Sequence, residues 1–253
     1  MSLKLGIDGH LGLLLIDRPA KRNAFDLAMW QALPGLLDQA EAADDLRVLV
    51  VKSAQGGAFC AGADIAELLA HKDDVQWRAQ NQQAIATAQH RLARFPRPTV
   101  AMVEGDCIGG GCGIALACDL RVATPAARFG ITPARLGLVY PLHDIKLLTD
   151  LVGPGQAKRM LLTGSLIDAA EAHRINLVET VADDERAIVG PLLAASPFST
   201  QAIKTLVRRV VEGQSDDDAA SRAMFVAAFD GADFREGTQA FVEKRMPVFG
   251  RPA

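Results

Sequence analysis

Apolar and polar positions divide this chain into a mixed strand-and-helix first part and a helical second part. Two short apolar runs, Leu3–Asp8 and Leu11–Asp17, flank Gly9-His10, a pattern that predicts an opening β-hairpin. Asp26 stands where an N-cap belongs, ahead of a helix from Leu27 towards Ala43 with Pro34 as a kink position. The β-branched run Leu46–Lys52 predicts a buried strand, and Asp64 closes a loop of small residues to cap a helix near Ile65. Asp73–Phe95 predicts a long helix that stops before Pro96 and Pro98. A strand at Pro98–Val103 follows, then a glycine-rich turn at Gly105–Gly113, a helix at Ile114–Cys118 and a strand at Leu120–Thr124. From Leu142 helices dominate, with one last strand at Val178–Val181. Ser196-Pro197 opens a helical tail broken near Gly213 and Gly231. The pattern predicts an α/β unit over residues 1–195 and an all-helical region over 196–253.

Composition narrows the function classes. Of 253 residues, 49% are apolar and 23% charged, a balance that supports a large core. The net charge of −3 offers no basic surplus for a nucleic acid. Cys60, Cys107, Cys112 and Cys118 lie in apolar or glycine-rich surroundings without CxxC spacing, which reads as buried reduced thiols. His10, His71, His90 and His173 are scattered and show no metal-ligand spacing, so no metal site is expected. Charges break every apolar run before membrane-spanning length, and the N-terminus has no signal-peptide pattern. The expectation is a cytoplasmic protein with no membrane partner.

Candidate chemistry lies in two glycine-containing turns. Gly109-Gly110-Gly111-Cys112-Gly113 follows a predicted strand and opens a predicted helix, where free backbone N–H groups meet the positive end of the helix dipole. A dinucleotide fingerprint fails because Ile114 stands where its third glycine is needed, and no Gly-Lys-Ser/Thr supports a phosphate loop. Close packing of helix on strand explains this loop alone equally well. The second turn, Phe59–Ile65 (FCAGADI), adds another set of N–H groups. Two such turns converging on one carbonyl oxygen make an oxyanion hole, in which one donor is typically worth about 10²–10³ in rate.

These segments together resemble the crotonase (enoyl-CoA hydratase/isomerase) family. The resemblance rests on Arg18-Pro19 with Asn23-Ala24, on FCAGADI, on PTVAMVEGDCIGGGCG at Pro98–Gly113, and on Ala117-Cys118-Asp119. Phe129-Gly130, Leu136-Gly137-Leu138, Leu162-Thr163-Gly164 and FVEKR at Phe241–Arg245 continue it in order. It implies a spiral of ββα units with a C-terminal helical region, assembled as a homotrimer or dimer of trimers. It also implies that the Ala63 and Gly110 N–H groups bind the thioester oxygen of an acyl-CoA. The CoA moiety would lie along Ala24, Ala61, Asp64 and Ile65, with its phosphates facing Lys21 or Arg22 and Lys244. CoA enters as part of the substrate, and no permanently bound cofactor is implied.

Departures from the family pattern bear on the reaction. A hydratase of this family carries one glutamate just after GGGC and a second about four residues beyond Phe-Gly; here those places hold Gly113 and Pro133. Isomerases commonly use the second glutamate or an aspartate a turn later, where Pro141 stands, so isomerisation of that kind is disfavoured too. Since general acid–base groups are worth about 10²–10⁴ each, ordinary hydration is disfavoured. The stretch Ile131–Tyr140 is similar to the methylmalonyl-CoA decarboxylase branch, in which decarboxylation forms the enolate without a base. That branch has a histidine at the place of Ala63 and a glutamate at the place of Gly113. Tyr140, the chain's one tyrosine, would orient the carboxylate or relay a proton.

His143 reads as a surface residue and Asp144 as the N-cap of a helix Ile145–Leu151, and both are candidate replacement acids or bases. Glu104 and Asp106 flank the glycine loop as structural or exposed carboxylates that could also turn inward. Three readings stay open: an enolate-stabilising enzyme with decarboxylation, isomerisation or slow hydration as its reaction, a hydratase with a substitute acid or base, and an acyl-CoA-binding member without catalysis. A fourth, RNA binding, lacks the lysine-rich helix it needs.

Overall fold

The fold, described here from a computed structural model over residues 2–250, is organised around two sheets. The opening hairpin pairs β1 (Leu3–Asp8) with β2 (Leu11–Ile16) in antiparallel register, turning at Gly9, which takes the left-handed conformation (φ 53°). β3 (Val48–Ser53), β4 (Thr99–Val103), β6 (Leu120–Ala123) and β9 (Thr180–Val181) extend the sheet in parallel, in the order β1-β2-β3-β4-β6-β9. A second sheet joins β5 (Asp106–Ile108), β7 (Arg128–Gly130) and β8 (Ile167–Asp168). Its strands are two or three residues long, too short to leave a periodic signal in the sequence.

Residues alternate across the main sheet, so the central strands are apolar on both faces. Leu49, Val51, Ala101 and Val103 join the main core, whereas Val48, Val50, Val100, Met102 and Val122 pack with Val189 of α7 (Arg186–Ala194). Parallel pairing requires crossovers, and helices supply them. α1 (Leu27–Glu41) begins as its pattern predicts: Asp26 accepts from Met29 N–H at 2.9 Å, and Met29, Trp30, Leu33, Leu37 and Ala40 form its buried face. Pro34 lies inside α1 without ending it. α2 (Ile65–Ala70) is capped by Asp64 and α3 (Val75–Ala93) by Asp74.

α4 (Gly110–Ala117) begins four residues earlier than the apolar pattern predicts, directly out of the glycine run. α5 (Leu142–Thr163) also begins early and breaks at Gly153 (φ 73°), just before Pro154. After α6 (Ala169–Arg174) and α7, the tail forms α8 (Pro197–Val211), α9 (Ala219–Asp230) and α10 (Ala232–Glu243). Ser196 caps α8, and Lys204 ties that helix to the core, donating to Asp119 Oδ2 at 2.6 Å and to Arg97 O at 2.9 Å. Among the described residues no helix is long and apolar enough to cross a membrane.

Glycine is required where β5 and α4 press against the preceding loop. A Cβ on Gly111 would stand 2.3 Å from Cys60 O, and one on Gly105 would stand 2.3 Å from Gly57 O. Both obstacles are backbone atoms, which cannot swing aside as a side chain can. Gly111→Ala is therefore expected to lower stability by at least about 1–3 kcal/mol, read as a reduced urea midpoint at unchanged slope.

Candidate active site

Backbone hydrogen bonds place segment 60–64 between segment 22–25 and β5. On one side Phe25 N–H donates to Gly62 O and Asp64 N–H to Phe25 O, each at 2.8 Å. On the other side Cys60 N–H donates to Asp106 O at 3.0 Å and Ile108 N–H to Cys60 O at 2.9 Å. Successive peptide groups of an extended chain point to opposite sides. With Gly62 O and Asp64 N–H turned to Phe25, the Ala63 N–H is turned the other way, the side on which the Gly109-Gly110 turn stands.

Neither the Ala63 nor the Gly110 N–H makes a hydrogen bond among the described residues. For Gly110 the reason is its position: it is the first residue of α4, whose opening donors have no intrahelical acceptor. Its nitrogen lies 3.6 Å from the point where a Cβ on Gly62 would stand, so the residue beside Ala63 abuts it. The Trp30 ring walls the loop, 3.3 Å from the Cβ place of Gly110. Two free N–H groups on adjacent turns, at the positive end of a buried helix, can stabilise an oxygen that gains negative charge.

The space beside Gly113 is filled. A Cβ there would stand 2.1 Å from Gln89 Nε2 of α3 and 2.8 Å from Asp144 Oδ2 of α5. Both side chains belong to residues only 1% exposed, and Gln89 Nε2 and Asp144 Oδ1 make no hydrogen bond. Burial pushes the Asp144 carboxyl up from 3.8 to about 6, against the opposing pull of the nearby Gln89 amide and Tyr140 hydroxyl. Tyr140 is buried and donates its hydroxyl hydrogen to Gly109 O at 3.0 Å. Burial and the neighbouring Asp144 push its own ionisation well above the ordinary tyrosine value.

Asp144 is thus not the helix N-cap that the sequence pattern suggests. Pro141 holds that place, and Asp144, inside the first turn, faces the core. His143 differs from its surface expectation too. Its ring stacks on His90 with centroids 3.9 Å apart, and burial with the nearby charges of His90 and Arg94 holds it down to about 4. It lines a cavity of about 460 Å³ with Leu116, Cys118, Leu147 and Lys204, whose walls include none of Ala63, Gly110, Gly113 or Asp144. The structure brings together Ala63 and Gly110, and Tyr140 with Asp144, and leaves His143 on another wall.

The expected CoA-facing residues cluster beside the same loop. Asp64 caps α2 and pairs with Arg18 at 2.9 Å, with Lys21 3.9 Å away. Burial works against its charge, yet Arg18, the α2 amides and Lys21 hold it below the ordinary aspartate value. Arg22 is exposed and pairs with Asp106, which Arg128 also holds at 2.7 Å. Asp106 is therefore a structural carboxylate. Glu104 lies part-buried behind Gly56 with Oε2 unpartnered. Ala24 is buried, Ala61 half-buried and Ile65 exposed. Lys244 is exposed at the end of α10, and no hydrogen bond or ion pair links it to the Lys21–Asp64 group. Sequence reasoning missed Gln89, although Ile85, Ala88 and Leu92 mark the inner face of α3, and a polar residue on that stripe was the available signal.

Comparison with known proteins identifies the family. A family model described as enoyl-CoA hydratase/isomerase matches residues 7–252. This chain belongs to the enoyl-CoA hydratase/isomerase family. It is 32% identical to human enoyl-CoA hydratase domain-containing protein 2, mitochondrial, over 96% of this chain and 87% of that one. A crystal structure of an enoyl-CoA hydratase/isomerase family protein from Hyphomonas neptunium superposes with a TM-score of 0.93 at 35% identity, covering 100% of this chain and 98% of the other. Enoyl-CoA hydratase from Bacillus anthracis gives 0.87 at 27%, covering 98% and 99%. The fold is that of the crotonase superfamily, and members of this family act on CoA thioesters.

The raised Asp144 proton affinity has a consequence for stability. The folded state holds this proton more tightly than the unfolded chain, so the contribution is fullest below about pH 4 and is lost as pH rises to about 6. The upward shift spans about two units, of the order of 3 kcal/mol in all. Asp144→Asn should remove this loss, so urea unfolding should show the variant gaining on the parent between about pH 4 and about pH 7. An unchanged difference across that range would contradict a buried, titrating Asp144.

Proposed function

We propose that this chain forms and discharges a thioester enolate of an acyl-CoA, with Asp144 as the group that carries the proton. The observation that carries this reading is the Asp144 carboxylate standing against Gly113, where the family's glutamate would begin. The active-site carboxylate then comes from α5 rather than α4.

One proton carrier suits double-bond migration. Ionised Asp144 takes the α-proton of a 3-enoyl-CoA, leaving a dienolate whose negative oxygen is held by the Ala63 and Gly110 N–H groups. The carboxylic acid so formed returns the proton to the γ-carbon, giving the 2-enoyl-CoA and restoring the carboxylate. A proton affinity near 6 suits both halves of this cycle, because the group is ionised at neutral pH yet basic enough to compete for the proton. Decarboxylation is the weaker reading, since its proposed assistant, the Tyr140 hydroxyl, already donates its hydrogen to Gly109 O.

For the rest of the substrate, Lys21, Arg22 and Lys244 would face the CoA phosphates, with Ala24, Ala61, Asp64 and Ile65 along the CoA moiety. Residues 196–253 would form the assembly region of a homotrimer or dimer of trimers. Exposed Phe225, Phe229, Phe241, Val242 and Met246 on and after α9 and α10 support that part of the reading.

Incubation with 3-hexenoyl-CoA, crotonyl-CoA and methylmalonyl-CoA, followed by mass spectrometry and chromatography of isomers, tests the reaction. Isomerisation is expected to dominate, and to fall below about pH 6 as Asp144 takes up its proton. Gly110→Pro, which deletes one oxyanion donor, should lower kcat by at least about 10²-fold. Loss of CO₂ from methylmalonyl-CoA as the main reaction, or full activity in Gly110→Pro, would overturn the proposal.

A further inference from the structure

We infer that Gln89 is a positioning residue for this reaction: its side-chain amide, reaching across Gly113 from α3, holds the Asp144 carboxylate in place and favours its ionised form. This rests on the proton-carrying role of Asp144 proposed above and adds the residue that makes a relocated carboxylate workable.

The argument begins with space. The Cβ place of Gly113 is claimed from two directions, 2.1 Å from Gln89 Nε2 and 2.8 Å from Asp144 Oδ2, so the two polar groups are neighbours across a residue without a side chain. Any larger residue at 113 would separate them. Glycine at 113 is thus the condition for a pair built from α3 and α5.

Polarity gives the second step. Gln89 is 1% exposed, and its Nε2 finds no hydrogen-bond acceptor at rest. A buried amide donor without an acceptor is destabilising, so it is costly in a core unless something draws on it. Asp144 Oδ1 is the complementary case, a buried acceptor without a donor. Both groups border the same Gly113 gap, where the amide can donate to the carboxylate. The amide must present its NH₂ rather than its C=O, because only the NH₂ complements a carboxylate.

Charge gives the third. The groups facing Asp144 are the Tyr140 hydroxyl from the turn before α5, the thiols of Cys107 and Cys112 beyond that hydroxyl, and Gln89 from α3. His90 and His143, stacked on each other, are the nearby cationic candidates on α3 and α5. Both are held below the ordinary histidine value, His143 at about 4, and the groups that steady the ionised carboxylate are the Gln89 amide and the Tyr140 hydroxyl. Of these two the Gln89 NH₂ has no other acceptor, whereas the Tyr140 hydroxyl is also engaged by Gly109 O.

The test uses the full-length protein and reads Asp144 directly. Carboxyl carbons of labelled aspartate are titrated by NMR, with the Asp144 signal assigned by its loss in Asp144→Asn. Gln89→Met, similar in length and without a donor, is expected to raise the Asp144 midpoint by about one unit. The low-pH limb of the kcat profile should move by the same amount, with KM unchanged and with kcat recovering at higher pH. Gln89→Glu, which keeps the shape and adds a like charge, should raise the midpoint further and serves if Gln89→Met fails to fold.

An Asp144 midpoint unmoved in both variants overturns the inference, as does a kcat lowered equally at every pH. The two readings fail separately. If the NMR midpoint moves with Gln89 but kcat follows no Asp144 titration, the proton-carrying role is wrong while the pairing of Gln89 with Asp144 stands.

Discussion

Everything at this site depends on how closely two backbone segments approach each other. Cys60 exchanges hydrogen bonds with both flanks of Cys107, and Gly111 brings α4 against the Cys60 carbonyl with no room for a Cβ. That contact fixes the register of segment 60–64. The register decides which way the Ala63 N–H points, because the peptide groups alternate. The same contact starts α4 early, at Gly110, and so leaves a second donor free beside the first. A loop rich in small residues, which alone would be loosely determined, is held by main-chain bonds on both sides.

Around this rigid centre the polar groups obey an economy of space. Gly113 has no side chain, and two helices that would otherwise be kept apart send Gln89 and Asp144 into the gap. Asp144 bears the desolvation that results, and its proton affinity rises into the range useful near neutral pH. By contrast, Asp64 and Asp106 are steadied by arginines at the rim of the same loop and serve the architecture. Nearness to the glycine loop does not distinguish these carboxylates. Solvation and partners do.

Much of the fold was legible in the sequence because it rests on local signals. The hairpin at Gly9, the caps Asp26 and Asp64, and the tail opening at Ser196-Pro197 all express one residue's chemistry at one place. The three-stranded sheet was not legible, since its strands are defined by partners far along the chain and not by any period of their own. At the site, the two turns were readable from their glycines. Asp144 was readable only as a candidate acid or base beside an N-cap reading, for a specific reason: Pro141 fills the cap position, so a residue type that normally begins helices stands within the first turn and faces inward. Gly113 read as a place without a carboxylate, and the sequence could not show that Gln89 and Asp144 from two distant helices border the space beside it.

Of the four buried cysteines, Cys60, Cys107 and Cys112 lie in the segments that build this centre, and Cys118 stands at the far end of α4. Burial pushes the Cys60 and Cys118 thiols up to about 12, and that of Cys107 well above its ordinary value. Only the thiolate reacts readily with alkylating agents and oxidants, so the sulfurs of Cys60, Cys107 and Cys118 are chemically silent in the closed structure. The two glycine-containing turns thus carry their own reporters: the rate at which an electrophile labels Cys60 and Cys107 measures how often the centre opens, and a peroxide that damages exposed thiols leaves it untouched while it stays shut.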